Sequence, residues 1–162
     1  MESVRVGIIG VGNMGYSHAK NIAAGKIKGM VLSALCDINP QREAVCKDKF
    51  SNVFFSKDYN ELLNGKVCDA VIIATPHRFH SDIASAALRA GLHIMTEKPM
   101  DIRVSKAKAL CELAKKSDRV FAIMFNQRTN CIYRKVKEIL ESGEYGEIKR
   151  VSWIITDWYR TQ

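Results

Sequence analysis

The sequence predicts an α/β domain built on a doubly wound parallel sheet, followed by only the first strand of a second, α+β domain. Three observations carry this expectation. Extended apolar segments alternate with helical ones along almost the entire chain, the pattern that builds a parallel sheet covered by helices. Several of those segments are apolar on both faces, as required where helices cover both sides of a sheet. A glycine-rich turn follows the first segment directly, where such sheets pass from strand to helix.

Taken in order, strands are expected over residues 4–9, 31–36, 53–55, 70–74, 93–96 and 120–125. Asn39-Pro40 reads as a helix cap followed by a first-turn proline, and Gly91 and Gly143 stand where helices usually stop. Ile132, Val136, Ile139 and Leu140 follow the i, i+4, i+7, i+8 spacing of a helix with one apolar face. Further on, Val151, Trp153 and Ile155 alternate with Ser152, Ile154 and Thr156, which predicts a strand with two distinct faces. Its sheet partners are not in this sequence, so it would leave an unpaired edge open to dimerisation or disorder. The expected organisation is a sheet domain over 1–127, then a connecting helix and the start of a truncated second domain over 128–162.

With 162 residues, 47% hydrophobic and 26% charged, the chain has the composition of a globular domain. A chain of this length buries about 68–70% of its unfolded surface, enough for one full core. No apolar run approaches the roughly 18 residues of a membrane-spanning helix, and the N-terminus lacks the pattern of a secretory signal. A cytoplasmic protein without a membrane partner is expected. The five cysteines form neither a CxxC motif nor a dense disulfide framework and read as reduced thiols. The net charge of +8 is spread along the chain. Its densest group, Arg134, Lys135 and Lys137, lies on the polar side of an amphipathic helix, so no nucleic-acid stripe is expected. The overall potential still favours an anionic ligand such as a dinucleotide pyrophosphate.

Gly10-Val11-Gly12-Asn13-Met14-Gly15 is a GxGxxG at the first strand-to-helix turn. Gly10 permits the tight turn, Gly12 lets the backbone approach a pyrophosphate, and Gly15 lets the helix pack closely on the sheet. The phosphates would sit at the positive end of that helix, making Asn13 and Met14 cofactor contacts beside the glycines. Taken alone, the same glycines also read as turn chemistry. Asp37 lies 22 residues after Gly15, just past the second strand, where a carboxylate accepts hydrogen bonds from both adenosine ribose hydroxyls. Such an acid favours NAD over NADP, whose 2′-phosphate it repels; Ile38 follows, and Arg42 is a turn away within reach of the cofactor. Asp37 also reads as a loop residue or cap.

Thr75-Pro76-His77-Arg78-Phe79-His80 follows the fourth strand, at the edge where open α/β folds bind ligands, although helix-entry chemistry explains it equally. His77 and His80 have no third ligand at a suitable spacing, so no metal site is expected. His18 and His93 receive no function. Glu97-Lys98-Pro99 follows the fifth strand, and the proline biases Lys98 toward an extended conformation at the ligand edge. An ammonium there can orient a hydroxyl or stabilise a developing alkoxide, whereas a lysine taken alone is a solvated charge.

Gly10, Gly12 and Gly15, then Asp37, Thr75-Pro76-His77 with His80, and Glu97-Lys98-Pro99, in that order on successive strands, resemble the Gfo/Idh/MocA oxidoreductase family. Asn126-Gln127-Arg128 and residues 153–162 also look like family sequence. The resemblance implies a Rossmann domain binding NAD or, less readily, NADP, followed by a mainly antiparallel domain that completes the substrate pocket and often the oligomer interface. It implies hydride transfer between nicotinamide and a sugar, inositol or related polyol. Lys98 would be the catalytic contact to substrate hydroxyl and nicotinamide ribose. Thr75, Pro76, His77, His80, Glu97 and Asn126 would line the cofactor, and Arg160 would face substrate. Family members commonly take their acid/base histidine from a downstream Asp-x-x-x-His motif, which this sequence does not contain. The expectation is therefore an N-terminal part, inactive alone, of a dehydrogenase that forms a homo-oligomer. Alternatives are a non-catalytic NAD(P)-binding sensor, which has no need of Lys98, and a methyltransferase, which shares the glycine turn and acid but not the GxGxxG spacing.

Overall fold

The computed structural model describes residues 3–154. The chain divides into two compact units, Met1–Met124 and Phe125–Gln162.

The first unit is built on six parallel strands: β1 (Val4–Ile9), β2 (Met30–Cys36), β3 (Phe54–Ser56), β4 (Ala70–Ile73), β5 (His93–Thr96) and β6 (Phe121–Ile123). Their order across the sheet is β3-β2-β1-β4-β5-β6, so the chain reverses direction of travel between β1 and β4. Helices α1 (Asn13–Ala23), α2 (Pro40–Lys49), α3 (Tyr59–Asn64), α4 (His80–Arg89) and α5 (Val104–Lys115) connect them. Residues on β1 and β2 alternate between two cores, as the two-residue strand period demands. Val6, Ile8, Leu32 and Leu35 pack with Ala19 and Ile22 of α1, while Ile9, Ala34 and Cys36 pack with Leu62, Ile83, Ala84 and Leu110. Each such fully buried aliphatic contributes about 1.5–3 kcal/mol, which is why both faces of these strands are apolar.

Local chemistry sets the boundaries. The Asn39 side chain accepts the Gln41 N–H at 2.9 Å and Pro40 opens α2, while Asp58 accepts the Asn60 N–H at 2.8 Å to start α3. The third strand begins one residue later than the sequence predicts, because the Val53 N–H closes a turn onto the Phe50 carbonyl at 3.0 Å. His93 Nδ1 accepts the Val120 N–H at 3.0 Å, a structural duty that joins β5 to the entry of β6.

In the second unit, α6 (Cys131–Ser142) is capped by Asn130, which accepts the Ile132 N–H at 2.9 Å, and ends at Gly143 with φ +69°. Its apolar stripe of Ile132, Val136, Ile139 and Leu140 forms as expected and is exposed. The strand expected from Val151 is corrected: residues 151–154 carry no strand. Alternation assigns two faces to a segment, but a strand also needs a neighbouring backbone to bond with. Residues 155–162, and with them Arg160, lie outside the described residues.

The thiols differ sharply in setting. Burial, reinforced by Asp37, Asp58 and Glu61, pushes Cys36 up to about 12, and burial beside Asp69 pushes Cys68 up to about 11. Cys46 is buried too, whereas Cys131 is exposed. A disulfide reagent at neutral pH is expected to modify Cys131 first and to reach Cys36, Cys46 and Cys68 only on unfolding, as peptide mapping of a time course would register.

Candidate cofactor site

The glycine turn leaves β1 at the sheet edge and enters α1. Gly10 has φ +88°, and a Cβ there would lie 2.7 Å from the Thr75 nitrogen and 2.8 Å from the Ala74 carbonyl. The turn is thus wedged against the exit of β4. A Cβ on Gly15 would lie 1.9 Å from the Gly10 oxygen, so α1 packs onto the turn at a distance that admits no side chain. Gly12 is different. Its backbone (φ −70°, ψ −161°) suits any residue, and a Cβ there would meet nothing within 4 Å. Neither conformation nor protein packing requires a glycine at this position; a ligand approaching the backbone would. Gly12 is also the cap of α1, yet among the described residues no side chain bonds to that helix end, and no acid lies in its first turn. Asn13 and Met14 stand exposed there.

Asp37 sits just beyond β2 and is half-buried. One oxygen accepts the Val11 N–H at 2.7 Å and the other accepts the Asn39 N–H at 2.9 Å. The carboxylate ties the glycine turn to the entry of α2. Each oxygen still has lone-pair capacity for a hydroxyl, so the loop role and ribose recognition are compatible. Arg42 lies in the first turn of α2, half-buried.

Beyond β4, Thr75 and Pro76 lead into a short 3-10 turn (His77–Phe79) and α4. The Thr75 Oγ1 is buried and has no hydrogen-bond partner among the described residues. His77 is exposed, but His80 is wholly buried. Its Nδ1 lies 2.7 Å from the Pro99 carbonyl and its Nε2 lies 2.7 Å from the Thr75 carbonyl, bracing the exits of β4 and β5 against each other. The two histidine rings meet edge to face, 5.6 Å apart.

Beyond β5, the Glu97 N–H bonds to the Ile73 carbonyl at 2.8 Å, and its side chain is buried. The Glu97 Oε1 accepts from His18 Nε2 of α1 at 3.0 Å. Lys98 is exposed, and among the described residues its ammonium has no hydrogen-bond or ion-pair partner. The Lys98-Pro99 peptide is cis. Composition and motif spacing assign His18 no role. One signal pointed to it: His18 lies three residues after Gly15, hence on the face of α1 that packs on the sheet. Asn126 belongs to the second unit, opening its 3-10 turn Asn126–Thr129.

A dinucleotide fits what these residues offer. The space over Gly12 would take the pyrophosphate against the uncapped amides of α1, and the orphaned Thr75 hydroxyl would gain a partner. Glycine turn, Asp37, Thr75 and Lys98 all belong to the carboxyl edge of one sheet, where the chain leaving β1 continues toward β2 and the chain leaving β4 continues the other way, toward β5.

Comparison with known proteins agrees. Residues 4–125 match the model of the Gfo/Idh/MocA oxidoreductase family, NAD-binding Rossmann fold. The chain is 31% identical over 144 residues to myo-inositol 2-dehydrogenase of Thermotoga maritima, covering 89% of this chain and 42% of that protein. It is 32% identical over 149 residues to inositol 2-dehydrogenase of Salmonella typhimurium, covering 90% and 44%. The crystal structure of scyllo-inositol dehydrogenase from Lactobacillus casei with bound cofactor NAD(H) and scyllo-inositol superposes with a TM-score of 0.85 at 28% identity, over 90% of this chain and 43% of that one. The chain thus spans under half the length of these relatives. With its order of strands, its glycine turn and this match over most of its length, the chain belongs to the Gfo/Idh/MocA oxidoreductase family and carries that family's NAD-binding Rossmann domain.

Proposed function

We propose that this chain is the cofactor-binding part of an NAD-dependent dehydrogenase that moves hydride between nicotinamide and a carbinol carbon of an inositol, sugar or related polyol. The observation that carries the reading is the open space over Gly12 at the uncapped end of α1. The chemistry of NAD is hydride exchange at nicotinamide C4; the protein holds and polarises the reactants. In this reading the amides after Gly12, with Asn13 and Met14, hold the pyrophosphate. Asp37 takes the adenosine ribose, with Arg42 beside it. Thr75, Pro76 and His77 line the nicotinamide half, braced from behind by His80 and Glu97. Lys98 orients the substrate hydroxyl and stabilises the oxygen as hydride leaves its carbon. Arg160 contributes to substrate binding. A cytoplasmic setting suits both a dinucleotide ligand and reduced thiols, and a homo-oligomer is expected of the whole enzyme.

Calorimetry tests this. The chain should bind NADH more tightly than NADPH, and Asp37→Ser should narrow that preference by about tenfold or more, since it removes both ribose acceptors and the charge opposing a 2′-phosphate. Because the Asp-x-x-x-His motif is not in this sequence, binding without polyol-dependent NADH production is the expected behaviour of these 162 residues. No heat with NADH or NAD from a folded sample would refute the reading, and an unchanged NADH to NADPH ratio in Asp37→Ser would remove Asp37 from it.

A further inference from the structure

We propose that His18 and Glu97 form a strut that couples the phosphate-binding end of the cofactor site to Lys98, making His18 a positioning residue for the lysine. The inference rests on the dinucleotide reading of the glycine turn. His18 lies in α1, the helix whose first turn faces the space over Gly12. Its Nε2 is 3.0 Å from the Glu97 Oε1, and the two side chains are only 19% and 11% exposed. Glu97 is the residue immediately before Lys98, and its own N–H is pinned to the Ile73 carbonyl at 2.8 Å. A carboxylate has no proton to give at this contact, so Nε2 is the donor and carries the hydrogen in whichever charge state the ring adopts.

The strut joins two parts of the chain 79 residues apart, and it is the side-chain hydrogen bond that runs from α1 to the exit of β5 among the described residues. Because α1 is a continuous helix of 11 residues, a displacement of its first turn by an anion is carried to His18 as a rigid-body movement. The carboxylate that receives it is buried and bonded, so the movement passes to the neighbouring peptide and not to solvent. On the other flank, the Pro99 carbonyl is fixed by His80 at 2.7 Å. Lys98 is therefore the free member of a turn whose two neighbours are both held, one of them by the cofactor helix. Linkage makes the coupling reciprocal: whatever engages Lys98 at the nicotinamide end strengthens phosphate binding at the other.

ADP, which presents adenosine and diphosphate but no nicotinamide, isolates the transmitted part. In a titration of the isotope-labelled chain followed by NMR, ADP is expected to shift the amides of Gly12 to Gly15 and, with the same saturation curve, the Lys98 amide. In His18→Phe the glycine-turn shifts should persist at an affinity within about twofold, the Lys98 response should vanish, and NADH should bind about tenfold more weakly, the scale of one lost hydrogen bond to a charged group. His18→Gln, whose amide N–H can replace Nε2–H, should restore both. In the wild-type chain the ring spectrum of His18 should show a protonated Nε2, a measurement that stands even if a variant fails to fold. A bare Nε2, a Lys98 response that survives in His18→Phe, or equal losses of ADP and NADH affinity would overturn the strut while leaving the dinucleotide site in place. Glycine-turn amides indifferent to both ADP and NADH would instead overturn the dinucleotide reading, and the strut with it.

Discussion

Gly15→Ala is expected to destabilise the domain by at least about 3 kcal/mol, enough to shift its melting temperature by more than ten degrees or to prevent folding at 37 °C. The substituent is a single methyl in a helix, where alanine is ordinarily the better residue by about 1 kcal/mol. Geometry reverses that preference. The new carbon would sit 1.9 Å from the Gly10 carbonyl oxygen, with the Gly10 carbonyl carbon at 3.0 Å and the Ala74 Cβ at 3.4 Å. The obstruction is backbone, so no rotamer change relieves it. Gly10 cannot retreat either, since its own N–H is bonded to the Cys36 carbonyl at 2.8 Å and its other flank touches Ala74 and Thr75. Helix α1 would have to lift, uncovering Ala19 and Ile22 from the core they share with Val6 and Ile8. Thermal melts followed by circular dichroism measure the effect, and a midpoint within two or three degrees of the parent would show that the helix does not need this approach.

Gly12→Asp is expected to do the opposite to each property: leave the fold as stable as before or slightly more so, and reduce NADH affinity by at least about a hundredfold. Gly12 already has an extended backbone and empty space at its Cβ, so an aspartate enters without strain. It is moreover a preferred helix cap, and α1 has no side-chain cap of its own, so the carboxylate can accept the orphan amides and interact favourably with the helix end, adding up to about 1 kcal/mol. Those amides are the ones a pyrophosphate would use. The new carboxylate both occupies them and repels the incoming charge across a few ångströms, and losing two or three such interactions amounts to a hundredfold or more. Melting curves and NADH titrations on one sample separate the two outcomes. Retained affinity in a folded Gly12→Asp chain would mean that the phosphates lie elsewhere.

Much of the fold and part of the site were legible because the signals are local. Six strands could be placed to within a residue or two from mainly apolar runs, most clearly β4, whose Val71, Ile72 and Ile73 are buried in succession. Gly10, Gly12 and Gly15 announce themselves by spacing, although only the structure separates their demands: clash with β4, open space, and clash with the turn itself. What stayed illegible is what depends on distant partners. The His18 to Glu97 bond spans 79 residues and the His80 to Pro99 bond spans 19, and no periodicity encodes either. Asp37 was readable as an acid after β2, but not as the clamp on Val11, because that amide belongs to a turn whose path is set by tertiary packing. The strand expected at Val151 failed for a related reason, since alternation describes one segment and pairing needs two.

The placement of β1 between β2 and β4 has a consequence for synthesis. Of the strands of this sheet the earliest made, β1, is one of the two central ones, and its partner on one side, beginning at Ala70, is made more than sixty residues later. A nascent chain must therefore keep an apolar strand and a bare glycine turn waiting, which favours chaperone engagement early in translation and makes the interval before β4 the most vulnerable to a pause or a nick.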